Sequence, residues 1–164
     1  PQRTGCDGRP VLLAAGDGKG AGLPGVLSDG ERGTVSEVWK APCFKTRINP
    51  PVLFQGLAYG LDEGVLACID PQDGRRVWKA GRYGLGQVLL AGEHLLVLTE
   101  DGALALVRIS SAGGQELARF QAIEGLTLSI PAAAHGRILV RNKLEIACFE
   151  LAPERAPERA SSAR

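Results

Sequence analysis

The sequence lacks a dominant charge, a long apolar run, a paired cysteine motif and an opening methionine, and each absence narrows what the chain can be. Lys and Arg number 19 against 18 Asp and Glu, a net charge of +1. The stretch 152–164 carries three Arg against two Glu, so residues 1–151 are formally neutral. A nucleic-acid partner calls for a concentrated basic face, so nucleic acid is not an expected partner. No apolar run approaches the ~20 residues that span a bilayer, and no basic-then-apolar start reads as a secretion signal. The chain opens on Pro1, which we read as the mark of a processed protein or a piece of a longer one. Its four cysteines, Cys6, Cys43, Cys68 and Cys148, form no C-x-x-C pair and have no nearby histidine cluster, so no zinc site is expected. Sequence alone does not pair them.

What the sequence does hold is a succession of short Val, Leu and Ile segments, separated every five to ten residues by Gly, Asp, Asn or Gln-Gly turns. No helical period is sustained over eleven residues. The fold expected is all-β, made of short antiparallel strands. One unit reads as strands at 51–54, 57–61, 65–69 and 75–79 joined by three tight turns. A second reads as strands at 87–91, 94–99, 103–109 and 115–120, with Phe120 where Trp78 stands in the first. A third, at 130–134, 137–141 and 144–151, stops after its third strand, and Cys148 falls where Cys68 falls.

Equivalent positions lie 39 residues apart for Trp39 and Trp78 and 38 apart for Gly64 and Gly102. A period near 40 with four strands per unit predicts β-propeller blades, about two complete and two partial. The expected boundaries are residues 1–151 for the blades, divided near 41, 80 and 121. A Gly-rich loop is expected at 16–33 and a disordered Ala/Pro/Glu/Arg tail at 152–164. Upstream, 10–15 reads as a strand and 34–40 as the outer strand of the leading blade. Ending on a third strand and a tail is how a C-terminal arc of a larger ring would finish, so a fragment is expected.

The stretch "LACIDPQDGRRVWK" (66–79) resembles the repeat of the pyrroloquinoline-quinone-like, or quinoprotein alcohol dehydrogenase-like, propellers. Their pattern is Leu-x-Ala-Leu-Asp-x-x-Thr-Gly-x-x-x-Trp. Leu66, Asp70, Gly74 and Trp78 match in register, with Cys68 in place of Ala and Asp73 in place of Thr. The pattern also has a physical reading. Asp70 and Asp73 can accept from amides within the turn, and Gly74 supplies a positive φ. Trp39 and Trp78 then each cover a peptide of the neighbouring blade, as structural docking residues.

The chemistry-bearing residues read mostly as structure. Gly20, Gly22 and Gly25 fit G-x-G-x-x-G, but no helix pattern follows to make a phosphate site, so a hairpin loop is expected. His94 and His135 adjoin turns at inequivalent offsets, and Asp62-Glu63 and Glu100-Asp101 recur at one turn, as hairpin chemistry. Cys68 and Cys148 read as buried structural thiols. The loops 41–49 and 80–86 link each outer strand to the next inner one on one face of the disc. Phe44, Lys45, Arg47, Arg82 and Tyr83 are expected to form an interaction face there.

No catalytic residue, metal or cofactor is assigned. The expectation is a non-enzymatic scaffold binding protein partners. The resemblance implies a bacterial, periplasmic or otherwise extracytoplasmic setting, since proteins with this repeat include a lipoprotein that assists assembly of outer-membrane barrels. The alternatives are a fragment of a quinone-dependent dehydrogenase whose catalytic blades lie elsewhere, and the sensor domain of a larger signalling protein.

Overall fold

The computed structural model describes residues 24–27, 34–37, 39 and 44–151. The expected strand at 10–15, Cys6, Cys43 and the tail at 152–164 lie outside the described residues. Every described element is a strand. β1 (Pro24–Leu27) and β2 (Thr34–Glu37) pair antiparallel, with Val26 opposite Val35. The Gly-rich stretch 16–33, expected as a loop, thus contains a strand, because the ladder with β2 satisfies the backbone groups of 24–27.

Two four-stranded antiparallel meanders follow. The first is β3 (Val52–Phe54), β4 (Leu57–Asp62), β5 (Val65–Ile69) and β6 (Arg76–Arg82). The second is β7 (Gln87–Ala91), β8 (His94–Leu98), β9 (Ala103–Ser110) and β10 (Gly113–Gln121). A three-stranded sheet closes the series, with β11 (Ala132–Ala134), β12 (Arg137–Arg141) and β13 (Ile146–Glu150). Two-residue turns with left-handed backbone set the registers at Gln55-Gly56, Glu63-Gly64 and His135-Gly136, where both central residues have positive φ.

The strands are apolar on both faces because each central sheet is covered on both sides. Tyr59, Leu61, Leu66 and Cys68 of the first meander pack against Val88, Leu95, Val97, Ala105 and Val107 of the second. The opposite face of the second, with Leu96, Leu98 and Leu104, packs against Ile138 and Val140 of β12. On the leading side, Phe44, Ala58, Ala67 and Ile69 form a third cluster under Trp39. Neighbouring residues on β8 therefore point into different cores.

The third sheet has only one covered face. Ile138 and Val140 are buried, whereas their neighbours Arg137, Leu139 and Arg141 are exposed. Cys148 is exposed too, which corrects its expected burial: among the described residues, the sheet that covers Cys68 in the first meander has no counterpart beside β13.

Candidate functional site

The links that follow β6 and β10 each cross the turn between the second and third strands of their own sheet. Tyr83 N and Gly84 N donate to Gly64 O at 2.7 and 3.2 Å, and Ala122 N and Ile123 N donate to Gly102 O at 3.1 and 3.2 Å. The crossing explains both glycines. A Cβ on Gly64 would sit 3.1 Å from Gly84 Cα, and one on Gly102 would sit 1.9 Å from Ile123 O. The links and these turns therefore share one edge of the sheets.

Along that edge the leading link is pinned to the first meander. Lys45 N donates to Asp62 Oδ1 at 2.8 Å, and Glu63 N donates to Lys45 O at 3.1 Å. Asp62 is 4% exposed, and it also takes Lys79 Nζ at 2.8 Å and faces Arg76 Nη1 at 3.7 Å. Burial alone would push its carboxyl up. The hydrogen bonds from Lys79 and the Lys45 amide, with the charges of Lys79 and Arg76, outweigh that and hold it below the usual value.

Asn49 Nδ2 donates to Gly86 O, tying this link to the next, while Asn49 Oδ1 and Gln87 Oε1 are buried without a hydrogen-bond partner among the described residues. Leu85 N donates to Glu100 Oε1 at 3.3 Å, and Lys45 Nζ pairs with Glu63 at 3.3 Å. Between these groups lies a shallow depression of about 290 Å³ lined by Arg47, Glu63, Gly64, Gly84, Leu85 and Glu100. It straddles the seam between the first and second meanders.

The five residues expected on an interaction face divide. Arg47 and Arg82 are exposed and Lys45 is half-buried, with Arg47 alone of the five lining the depression. Phe44 and Tyr83 are 2% and 5% exposed, which removes them from any surface. Phe44 packs at Gly60, where a Cβ would come within 2.9 Å of its ring. Tyr83 donates its hydroxyl to Glu116 Oε2 at 2.9 Å, and Arg119 lies 4.8 Å over its ring while pairing with Glu116 at 2.8 Å. Burial, then Glu116, pushes the Tyr83 phenol up to about 12.

Of the docking residues, Asp70 Oδ1 accepts from Gln72 N at 2.9 Å, and Gly74 takes φ 73° beneath the Trp39 ring. Asp73 Oδ1 accepts from Arg75 N at 2.9 Å within the same turn. Trp39 Nε1 donates to Pro71 O at 2.9 Å, and Trp78 Nε1 to Ser110 O at 3.0 Å. Gly114 lies under the Trp78 ring, where a Cβ would stand 3.2 Å away. Phe120 meets Phe149 of the third sheet edge-on at 5.0 Å.

Acid-base chemistry finds little support. Glu63 and Glu100 already have partners, and Asp101 accepts from Thr99 Oγ1. His94 and His135 stand at the opposite edge on different sheets. Among the described residues no group of three or more His, Cys, Asp and Glu could hold a metal ion. The reading from sequence missed Asp62 as a buried anchor and the Tyr83–Glu116–Arg119 clasp. The first was hidden because the sequence places Asp62 in the turn, whereas the structure carries β4 one residue past Leu61 to include it.

Sheets that meander outward and pack face against face in chain order define a β-propeller, here a partial one with two complete and two partial blades. No family model and no curated protein matches the chain. Among solved structures it is similar to BamB from Moraxella catarrhalis, with a TM-score of 0.55 and 14% sequence identity over 86% of this chain. The match covers 47% of that chain, so this one spans about half the length of the structure it resembles. No described helix is long and apolar enough to cross a membrane.

Proposed function

We infer that this chain is a non-enzymatic binding platform, and that the edge carrying Arg47 is where a protein partner docks. The observation that carries the reading is the depression itself. It is lined from both sides of a seam by Arg47, Glu63, Leu85 and Glu100, on links that backbone hydrogen bonds already hold in place. Fixed loops lose little freedom on binding, so a modest surface there can still support useful affinity. Exposed Arg82 extends the same edge. The fold likeness to BamB is consistent with a propeller platform, and the repeat resemblance supports a protein partner and an extracytoplasmic setting.

Photo-cross-linking groups placed at Arg47 and at His135, on opposite edges, test this. Adducts with a defined protein from Arg47 alone, diminished by Glu100→Lys, support the reading. Equal yields from both positions count against it. A rise in thermal midpoint on adding pyrroloquinoline quinone with calcium would contradict the non-enzymatic half, because a ligand that binds the folded form raises apparent stability.

A further inference from the structure

The depression at the seam between the first and second meanders has a narrow inner end of about 10 Å³, the space of one water-sized group. Ile48, Asn49, Leu61 and Gly86 line it. Arg47, Glu63 and Leu85 continue into the outer part, which Glu100 completes. Asn49 is 6% exposed. Its Nδ2 is committed to the Gly86 carbonyl, which fixes which amide atom is the oxygen, and Oδ1 is left buried without a hydrogen-bond partner among the described residues. An unmet acceptor in a confined space calls for a donor. The walls add further acceptors, since Glu63 and Glu100 bring carboxylates from opposite sides of the seam. Lys45 Nζ meets Glu63 at 3.3 Å, but the two side chains are 37% and 59% exposed, and a carboxylate in such a surface pair keeps capacity for a second donor. Glu100 spends one oxygen on the Leu85 amide and has no ion-pair partner among the described residues.

We propose that this inner end takes a primary ammonium, the side chain of a lysine on the docked protein partner. The proposal rests on the binding-platform reading and names the chemistry that the platform recognises. An ammonium carries three donors and no acceptor, which suits Asn49 Oδ1 flanked by two carboxylates. A planar guanidinium is too broad for the space of one water-sized group, so Lys is selected over Arg. Ile48, Leu61 and Leu85 offer apolar carbon along which the methylene stem can lie. Arg47 at the rim has no ion-pair partner among the described residues, and a carboxylate beside the partner's lysine would pair with it and balance the charge of the cleft.

Titration of the full chain with the peptide acetyl-Gly-Lys-Glu-amide, followed by nuclear magnetic resonance, tests the proposal. The Asn49 side-chain amide and the Leu85 backbone amide should shift and saturate. The same peptide with norleucine in place of lysine should leave both unmoved, and with arginine it should bind about tenfold more weakly. Glu100→Gln keeps an acceptor for the Leu85 amide and removes the charge, so it should weaken the lysine peptide about threefold with the rest of the spectrum unchanged. An Asn49 amide that does not respond means the inner end holds solvent alone, and overturns the proposal. A norleucine peptide that shifts it equally, an arginine peptide that binds as tightly, or a Glu100→Gln variant with unchanged affinity overturns it too. If the lysine peptide fails while Arg47 still yields cross-linked adducts, the ammonium site falls and the platform reading stands. Peptide binding with no Arg47 adduct to any protein overturns the assignment of that ammonium to a protein partner.

Discussion

Trp78 Nε1 lies 3.0 Å from the carbonyl oxygen of Ser110, on the next sheet and 32 residues further along the chain. Trp39 and Pro71 repeat the relationship at the same separation of 32, at 2.9 Å. Trp39 and Trp78 are themselves 39 apart, as are Pro71 and Ser110. A recurring indole thus bonds to the same point of each successive blade while its ring covers a glycine there, Gly74 or Gly114. The indole contributes in two ways: apolar area over the neighbour's turn, and one donor that satisfies a turn carbonyl.

Those contributions separate by substitution. Trp78→Ala should cost about 3 kcal/mol, the range for removing a large packed side chain. Trp78→Phe, which keeps a ring and loses the donor, should cost about 1 kcal/mol. Urea titration measures both; a Trp78→Phe variant as stable as wild type would reduce the bond to an incidental contact, and equal costs for the two variants would reduce the ring's area to one.

The glycines at crossings differ from those at open turns. Gly102→Ala should cost on the order of 3 kcal/mol, because φ is 88° and the new Cβ would fall 1.9 Å from a backbone oxygen. Gly136→Ala has a similar φ of 72° with nothing within 4 Å, and should cost only about 1 kcal/mol. Thermal midpoints of the two variants compare them directly.

Asp62 makes stability depend on acid. Its folded carboxyl titrates below the ordinary value of 3.8, so the stabilisation is present above that value and is lost as pH falls from there through the lower folded one. Asp62→Asn should cost on the order of 2 kcal/mol at neutral pH. The gap between variant and wild type should narrow in denaturant titrations taken below pH 3.8. A gap independent of pH would mean the charge is not what matters.

Much of this architecture was legible in the residues, and the exceptions have physical causes. Strands 57–61 and 65–69 were visible because both faces are buried, which leaves near-continuous apolar runs bounded by Gly and Asp. Trp39 and Trp78 were visible because a repeated docking contact demands a repeated residue. β1 was not, since a glycine-rich stretch carries weak strand propensity and only its ladder with β2 orders it. Phe44 and Tyr83 were misplaced because loop composition does not reveal direction. Both belong to links that run over a sheet edge, and their rings turn inward against Gly60 and toward Glu116. Cys68 and Cys148 share a sequence position and differ in burial because, among the described residues, only Cys68 has a following blade packed against it.

Cys68 should be chemically silent in the folded protein. Burial pushes its thiol up to about 11, with the Tyr59 hydrogen bond opposing and the Asp70 charge adding. Thiolate is the reactive form, so alkylation of Cys68 should proceed only as fast as the chain unfolds. Mass mapping after timed alkylation reads this out, and modification faster than unfolding would show that the core between the meanders opens locally.

The account rests on blades held by their indoles, and the chain's two tryptophans give two indole N–H resonances with which to test it. Hydrogen exchange of those two protons is the most direct measurement. Both should exchange far more slowly than the indole of an unfolded chain, and Trp78→Phe should remove one signal while leaving the other protected. Exchange of either at the unfolded rate would contradict docking at that seam.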